Sequence, residues 1–162
     1  MSTTEDRTDE WARMRAAHLA DRADRPPTTA RGVHHVALLC TDVEQTIGFY
    51  QGILVFPLTE LFENRDYEGS THFFFDIGNG NALAFFDFPD LGLGDYAEVL
   101  GGLHHLAISV PPESWHKQKA ALEEAGVDLQ IMDSSMYFFD PDGARVELIN
   151  DPLGEMYGNP VM

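Results

Sequence analysis

The sequence contains a single cysteine, Cys40, and therefore cannot build an internal disulfide framework. A lone thiol inside an apolar strand reads as a small core residue and fits a reducing compartment. Basic residues are scarce as well: ten Lys and Arg stand against 27 Asp and Glu, a formal net charge of −17. Such a field repels phosphate backbones and anionic lipid surfaces, which argues against nucleic-acid and membrane partners. No apolar run approaches the length of a membrane span, and the first residues lack a basic-then-apolar leader pattern, so a soluble cytoplasmic protein is the expectation. What is present is a chain of 162 residues, 44% of them hydrophobic. That suffices for one ordinary domain with a core that needs no disulfide or metal staples.

The chain is organised around a stretch that occurs twice. Gly32-Val33-His34-His35-Val36-Ala37-Leu38-Leu39 returns seventy residues later as Gly102-Leu103-His104-His105-Leu106-Ala107-Ile108-Ser109. Both copies read as a buried strand that opens on a pair of histidines. The interval is the length of one βαβββ unit, so the economical reading is a duplicated module whose equivalent first strands each bring a histidine to a shared site.

Residues 1–31 form a polar arm that ends in the breaker cluster Pro26-Pro27-Thr28-Thr29. Within it, Trp11, Met14 and His18 form a narrow stripe on a helix expected over about 8–24, read as a surface helix first and a dimer contact second. After the strand at 33–40, Asp42 is a good N-cap with Gln45 three residues on, and Val43, Ile47, Tyr50 and Leu54 keep the spacing of one helical face. Strands are expected at 54–62 and 70–77. Asn79-Gly80 then turns the chain into Leu83-Ala84-Phe85-Phe86-Asp87-Phe88.

The glycine-rich linker 89–102 separates the modules. Module two, 103–150, repeats the order: a strand at 103–110, a helix from Pro112 to Ala125, and strands near 127–132, 135–140 and 144–150. Asp140-Pro141-Asp142-Gly143 makes the last turn. The tail at 151–162 reads as irregular.

This order, with a His at the head of each module and Asp140-Pro141-Asp142-Gly143-x-x-x-Glu147-Leu148 near the end, resembles the vicinal oxygen chelate superfamily over about residues 32–150. That group includes glyoxalase I, methylmalonyl-CoA epimerase, extradiol ring-cleavage dioxygenases and bleomycin-resistance proteins. The resemblance implies an α+β fold of two βαβββ modules that form a half-barrel around a metal site. It also implies the ligands. The first lies seven residues before the capping Asp42, which selects His35; its counterpart is His105; the carboxylate four residues after Gly143 is Glu147. Two imidazoles and one carboxylate leave positions open for substrate and oxygen, the ligand set of non-haem Fe(II) oxygenases. Fe(II) is the preferred metal, with Mn(II), Zn(II) and Ni(II) as alternatives. Adjacent strand residues point to opposite faces, so His34 and His104 are expected to face away from the metal and pack under the helices.

Departures from the family narrow the activity. Glyoxalase I takes a further Glu ligand from the last strand of its first module, and the matching position here falls at or near Phe85, which cannot ligate. Asp87, two residues on, would serve as a fourth ligand only if that register is off; otherwise it is a solvated strand-end carboxylate. The run from Met136 and Tyr137 through Asp140, Gly143 and Glu147 follows the end of the extradiol signature and places Tyr137 where those enzymes hold a substrate-contacting tyrosine. The signature opens with a His, and this chain has Asp128-Leu129-Gln130 there.

The run from His72 to Phe75, with Phe85 and Phe86, implies an aromatic-lined cavity for a ring-bearing substrate. His72 has two readings, an acid or base beside the metal and a hydrogen-bonded strand histidine. The resulting expectation is an extradiol-type dioxygenase for a small aromatic or vicinal-oxygen compound, with Tyr137 and His72 steering protons, and a homodimer by resemblance. The alternatives are an isomerase, epimerase or lyase of the glyoxalase type that uses no oxygen, and an antibiotic-binding resistance protein.

Overall fold

A computed structural model describes residues 6–162. The chain divides into an N-terminal segment, up to Arg31, and a body spanning Gly32–Val161. In the segment, α1 (Thr8–His18) and a 3-10 turn (Arg22–Asp24) bury no residue. The helix is shorter than expected because the chain turns extended at Leu19. Of the expected stripe, Trp11 and His18 are exposed and Met14 is half-buried. Among the described residues no helix is long and apolar enough to cross a membrane.

The body contains the expected module twice. Module one runs β1 (His35–Cys40), α2 (Val43–Ile47), a π-helix (Gly48–Ile53), β2 (Leu58–Glu63), β3 (Thr71–Asp76) and β4 (Ala82–Asp87). Module two runs β5 (Leu106–Ser109), α3 (Pro112–Glu124), β6 (Gln130–Met132), β7 (Ser135–Phe139) and β8 (Arg145–Ile149). The sheets have matching orders, β1-β4-β3-β2 and β5-β8-β7-β6. In each, the first strand pairs parallel with the last and the other pairs are antiparallel. The fold is α+β, and the two four-stranded sheets remain separate rather than closing into one barrel.

The Asp42 side chain caps α2 by accepting from the Gln45 amide at 2.9 Å. The helix then widens into π turns, which carry the chain as far as Leu54, so β2 begins later than the apolar pattern suggests. In α3, Trp115, Gln118 and Leu122 are buried at helical spacing. Beyond Pro152 the tail is not wholly irregular, since β9 (Glu155–Met156) and β10 (Asn159–Pro160) form a short antiparallel ladder.

One core serves both modules. Leu83, Phe85, Phe73 and Phe75 from the first sheet join Ile108, Val146, Leu148, Met136 and Phe138 from the second, with Tyr50, Leu54, Trp115 and Leu122 from the helices. Polar bonds cross the same seam: the Gln118 amide donates to the Leu54 carbonyl at 2.6 Å, and the Thr41 hydroxyl to Asp142 at 2.6 Å. Cys40 lies in this core, where burial pushes its thiol up to about 12. Because side chains alternate along a strand, the modules pack by one face of each sheet. His35, Ala37 and Leu39 lie on the other face of β1 and are exposed.

Candidate metal centre

In β8, Val146 and Leu148 turn into the core, so Glu147 between them projects from the opposite face of the sheet. Glu147 stands opposite Tyr137 on β7 and Ala107 on β5. It is buried at 5% exposure. A buried carboxylate needs partners, and two are in place. The Ser135 hydroxyl donates to Oε1, and His105 Nε2, at the foot of β5, lies 3.0 Å from Oε2. The Tyr137 ring meets the His105 ring edge-on at 5.8 Å, and the Arg145 guanidinium sits 4.9 Å over the Tyr137 ring. Burial, and then a hydrogen bond with Glu147, hold the Tyr137 phenol above its ordinary range.

His105 and Glu147 fit a divalent cation. Donors about 2.1 Å from one ion stand roughly 3 Å apart when cis, which is the spacing of Nε2 and Oε2, and the imidazole–carboxylate set suits iron, manganese, zinc or nickel. The third expected ligand does not join them. Among the described residues, no three His, Cys, Asp or Glu side chains converge on a point. His35 belongs to the outer face of module one, where its ring neighbours are His34 and Phe74, at 5.2 and 6.3 Å.

His72 lies on that same face of module one and not beside Tyr137. It stacks on Phe86 at 3.9 Å and also meets Phe74 and Phe62, at 4.3 and 5.4 Å. Its Nε2 is removed from solvent with no hydrogen-bond partner. Desolvation, and then the neighbouring charge of His35, push the imidazole below its ordinary value. The expected aromatic lining is therefore Phe62, His72, Phe74 and Phe86 on an open sheet face. Two solvent-open clefts lie at the module seam, about 500 Å³ beside Gly48, Val127 and Asp140 and about 850 Å³ beside β1, Tyr96 and the 140–144 turn.

One expectation is made exact and one is corrected. The module-one counterpart of Glu147, expected at or near Phe85, is Ala84: Ala107 pairs with Glu147 as Ala37 pairs with Ala84. Phe85 is a core residue, and Asp87 accepts from the Thr71 amide. Alanine, like phenylalanine, supplies no ligand. Nor do His34 and His104 pack under the helices. Both are exposed, and each bonds through Nδ1 to Nδ1 of the next histidine, at 2.9 and 2.6 Å. They precede the regular strands, where strict alternation has not begun. Sequence reasoning also missed Ser135 and Arg145. Ser135 carried no signal, whereas Arg145 could have been found two residues before Glu147, on its face of the strand.

Comparison with known proteins came to the same fold. A family model described as Glyoxalase/Bleomycin resistance protein/Dioxygenase superfamily matches residues 32–148. A Bacillus subtilis (strain 168) protein named "Putative ring-cleaving dioxygenase MhqA" is 28% identical over 139 residues, covering 80% of this chain and 43% of that protein. The chain thus spans under half the length of that relative. The crystal structure of a glyoxalase family protein from Enterococcus faecalis superposes with TM-score 0.58 at 28% identity, covering 74% of this chain and 97% of the other. A point mutant of the fosfomycin resistance protein FosX from Listeria monocytogenes, complexed with Mn(II) and 1S,2S-dihydroxypropylphosphonic acid, superposes with TM-score 0.60 at 20% identity, covering 77% and 96%. This last likeness concerns the fold alone.

Proposed function

Since the chain belongs to the Glyoxalase/Bleomycin resistance protein/Dioxygenase superfamily, we propose that it is a divalent-metal dioxygenase of the extradiol ring-cleaving type, acting on a small aromatic substrate. The observation that carries this reading is the 3.0 Å approach of His105 Nε2 to Glu147 Oε2 beside a tyrosine hydroxyl and an arginine. His105 and Glu147 hold the metal, with Fe(II) preferred. When bound, the metal supplies Lewis acidity and a path for electrons between a two-oxygen substrate and dioxygen.

The chain's own residues do the rest. Ser135 holds one oxygen of Glu147 and leaves the other to the ion. Tyr137, protonated across the neutral range, presents a proton to a substrate oxygen, and Arg145 fixes its ring. The position equivalent to Glu147 in module one is Ala84, so a four-ligand glyoxalase I site is disfavoured.

The third ligand is His35 of a second copy of the chain. Support comes from the packing: the modules bury one sheet face against each other and turn the ligand-bearing faces outward. Those faces carry exposed apolar side chains, Leu39 and Phe62 in one module and Met132 and Phe139 in the other. Faces of this kind mark interaction surfaces. A two-fold dimer would bring module one of each copy to module two of the other, with Phe62, Phe74, Phe86 and His72 as the aromatic wall.

Elemental analysis of protein purified anaerobically, followed by oxygen uptake with catechols, tests the reading. About one iron or manganese per chain, lost in His105→Ala, with oxygen consumed on catechol addition, is the expected result. Metal without oxygen consumption would move the assignment to an isomerase or lyase, and protein without metal would overturn it.

A further inference from the structure

The two His-His pairs share a geometry that the metal reading does not use. Nδ1 of His34 meets Nδ1 of His35 at 2.9 Å with the rings 79° apart, and Nδ1 of His104 meets Nδ1 of His105 at 2.6 Å with the rings 76° apart. Neighbouring residues on extended backbone normally diverge, so each contact requires both rings to turn toward each other. The same turn occurs at equivalent positions of both modules.

We propose that His104 is a positioning residue that sets the tautomer of His105, and that the two rings change tautomer together when a divalent cation binds; His34 does the same for His35. The cation half of this inference rests on the metal reading above. A bond between two ring nitrogens holds one proton, so one ring donates and the other accepts. Without a cation, His105 Nε2–H donates to Glu147 Oε2, 3.0 Å away. Its Nδ1 is then bare and accepts from His104 Nδ1–H. A cation requires the Nε2 lone pair. His105 must then carry its proton on Nδ1 and donate to His104.

His104 in turn carries its proton on Nε2, the nitrogen 3.9 Å from the Glu98 carboxylate in the linker. The exchange balances. One proton leaves His105 Nε2 to solvent, the shared proton crosses from His104 Nδ1 to His105 Nδ1, and one proton from solvent arrives at His104 Nε2. Both rings are neutral before and after. As acceptor, His104 makes His105 a more basic ligand, the part a carboxylate or carbonyl plays behind other ligating histidines.

Side-chain 15N–1H NMR of the full chain in mildly alkaline buffer, metal-free and with Zn(II) as a diamagnetic probe, reads both tautomers directly. Metal-free protein should show His105 as Nε2–H and His104 as Nδ1–H, and zinc should reverse both. A metal-free His105 already in the Nδ1–H form, or a His104 tautomer unmoved by bound zinc, would overturn the proposal. His104→Phe removes the acceptor for His105 Nδ1–H in the cation-bound state and should weaken zinc roughly 10- to 100-fold. His104→Asn keeps an amide donor and acceptor at the Nδ1 position and should recover most of that loss; equal losses in the two variants would count against the role. If the unmodified protein binds no zinc, the metal reading fails, and the metal-free tautomers decide this proposal alone.

Discussion

The hydroxyl of Tyr50, in the π-helix of module one, donates to Oδ2 of Asp140, in the last turn of module two, at 2.9 Å. The other oxygen of Asp140 accepts from the amides of Asp142 and Ala144, at 3.0 and 2.8 Å. The Asp140-Pro141-Asp142-Gly143 motif thus closes a turn, with Gly143 at φ 84°, and also fastens the two modules at their backs. This lock leaves the sheet faces that carry His35 and Glu147 on the sides away from the shared core.

Tyr50→Phe leaves a buried carboxylate oxygen without its donor, and equilibrium urea unfolding should show a loss of about 1–3 kcal/mol. Burial raises the Asp140 carboxyl above 3.8. The native chain therefore holds that proton more tightly than the unfolded chain, and stability declines as pH rises from 3.8 through the shifted value. Asp140→Asn should flatten that part of the stability–pH curve relative to the unmodified protein; an unchanged curve would contradict the assignment.

Ser135→Ala removes the donor to Glu147 Oε1 while leaving all three proposed ligands, His35, His105 and Glu147, in the sequence. The carboxylate then loses its orientation, and metal affinity measured by calorimetry should fall roughly 10-fold or more. Circular dichroism should remain that of the unmodified protein.

Tyr137→Phe keeps the ring under Arg145 and beside His105 but deletes the hydroxyl. Oxygen-uptake kinetics with a turned-over catechol should show kcat lowered by about 10²-fold or more, with metal content and KM little changed. A loss confined to KM would make Tyr137 a binding residue rather than a proton carrier.

The repeat of Gly-x-His-His and the capping Asp42 made both modules legible, because strand periodicity and N-cap chemistry act over a few residues. That His105, just before β5, and Glu147, midway along β8, belong to one sheet was legible for the same reason. The direction in which each module faces was not. It depends on Tyr50, Gln118 and Thr41 reaching partners 64 to 101 positions away, and no local pattern records such pairs. The place of Ala84 opposite Ala37 was legible only to within a residue or so of Phe85, since strand register is fixed by pairing and not by composition. The mutual contact of His104 and His105 was missed because alternation was applied to residues that precede the regular strand.

We propose that His35 completes a site begun by His105 and Glu147 of another copy of the chain. The most direct measurement is metal content after mixing His35→Ala protein with Glu147→Gln protein under conditions that exchange subunits. Each variant alone should lack the full ligand set at every site. Random exchange makes half of the dimers mixed, each with one intact site of two, so the mixture should regain about a quarter of the metal bound by the unmodified protein. No metal regained on mixing, with exchange verified by mass spectrometry, would contradict a site shared between copies.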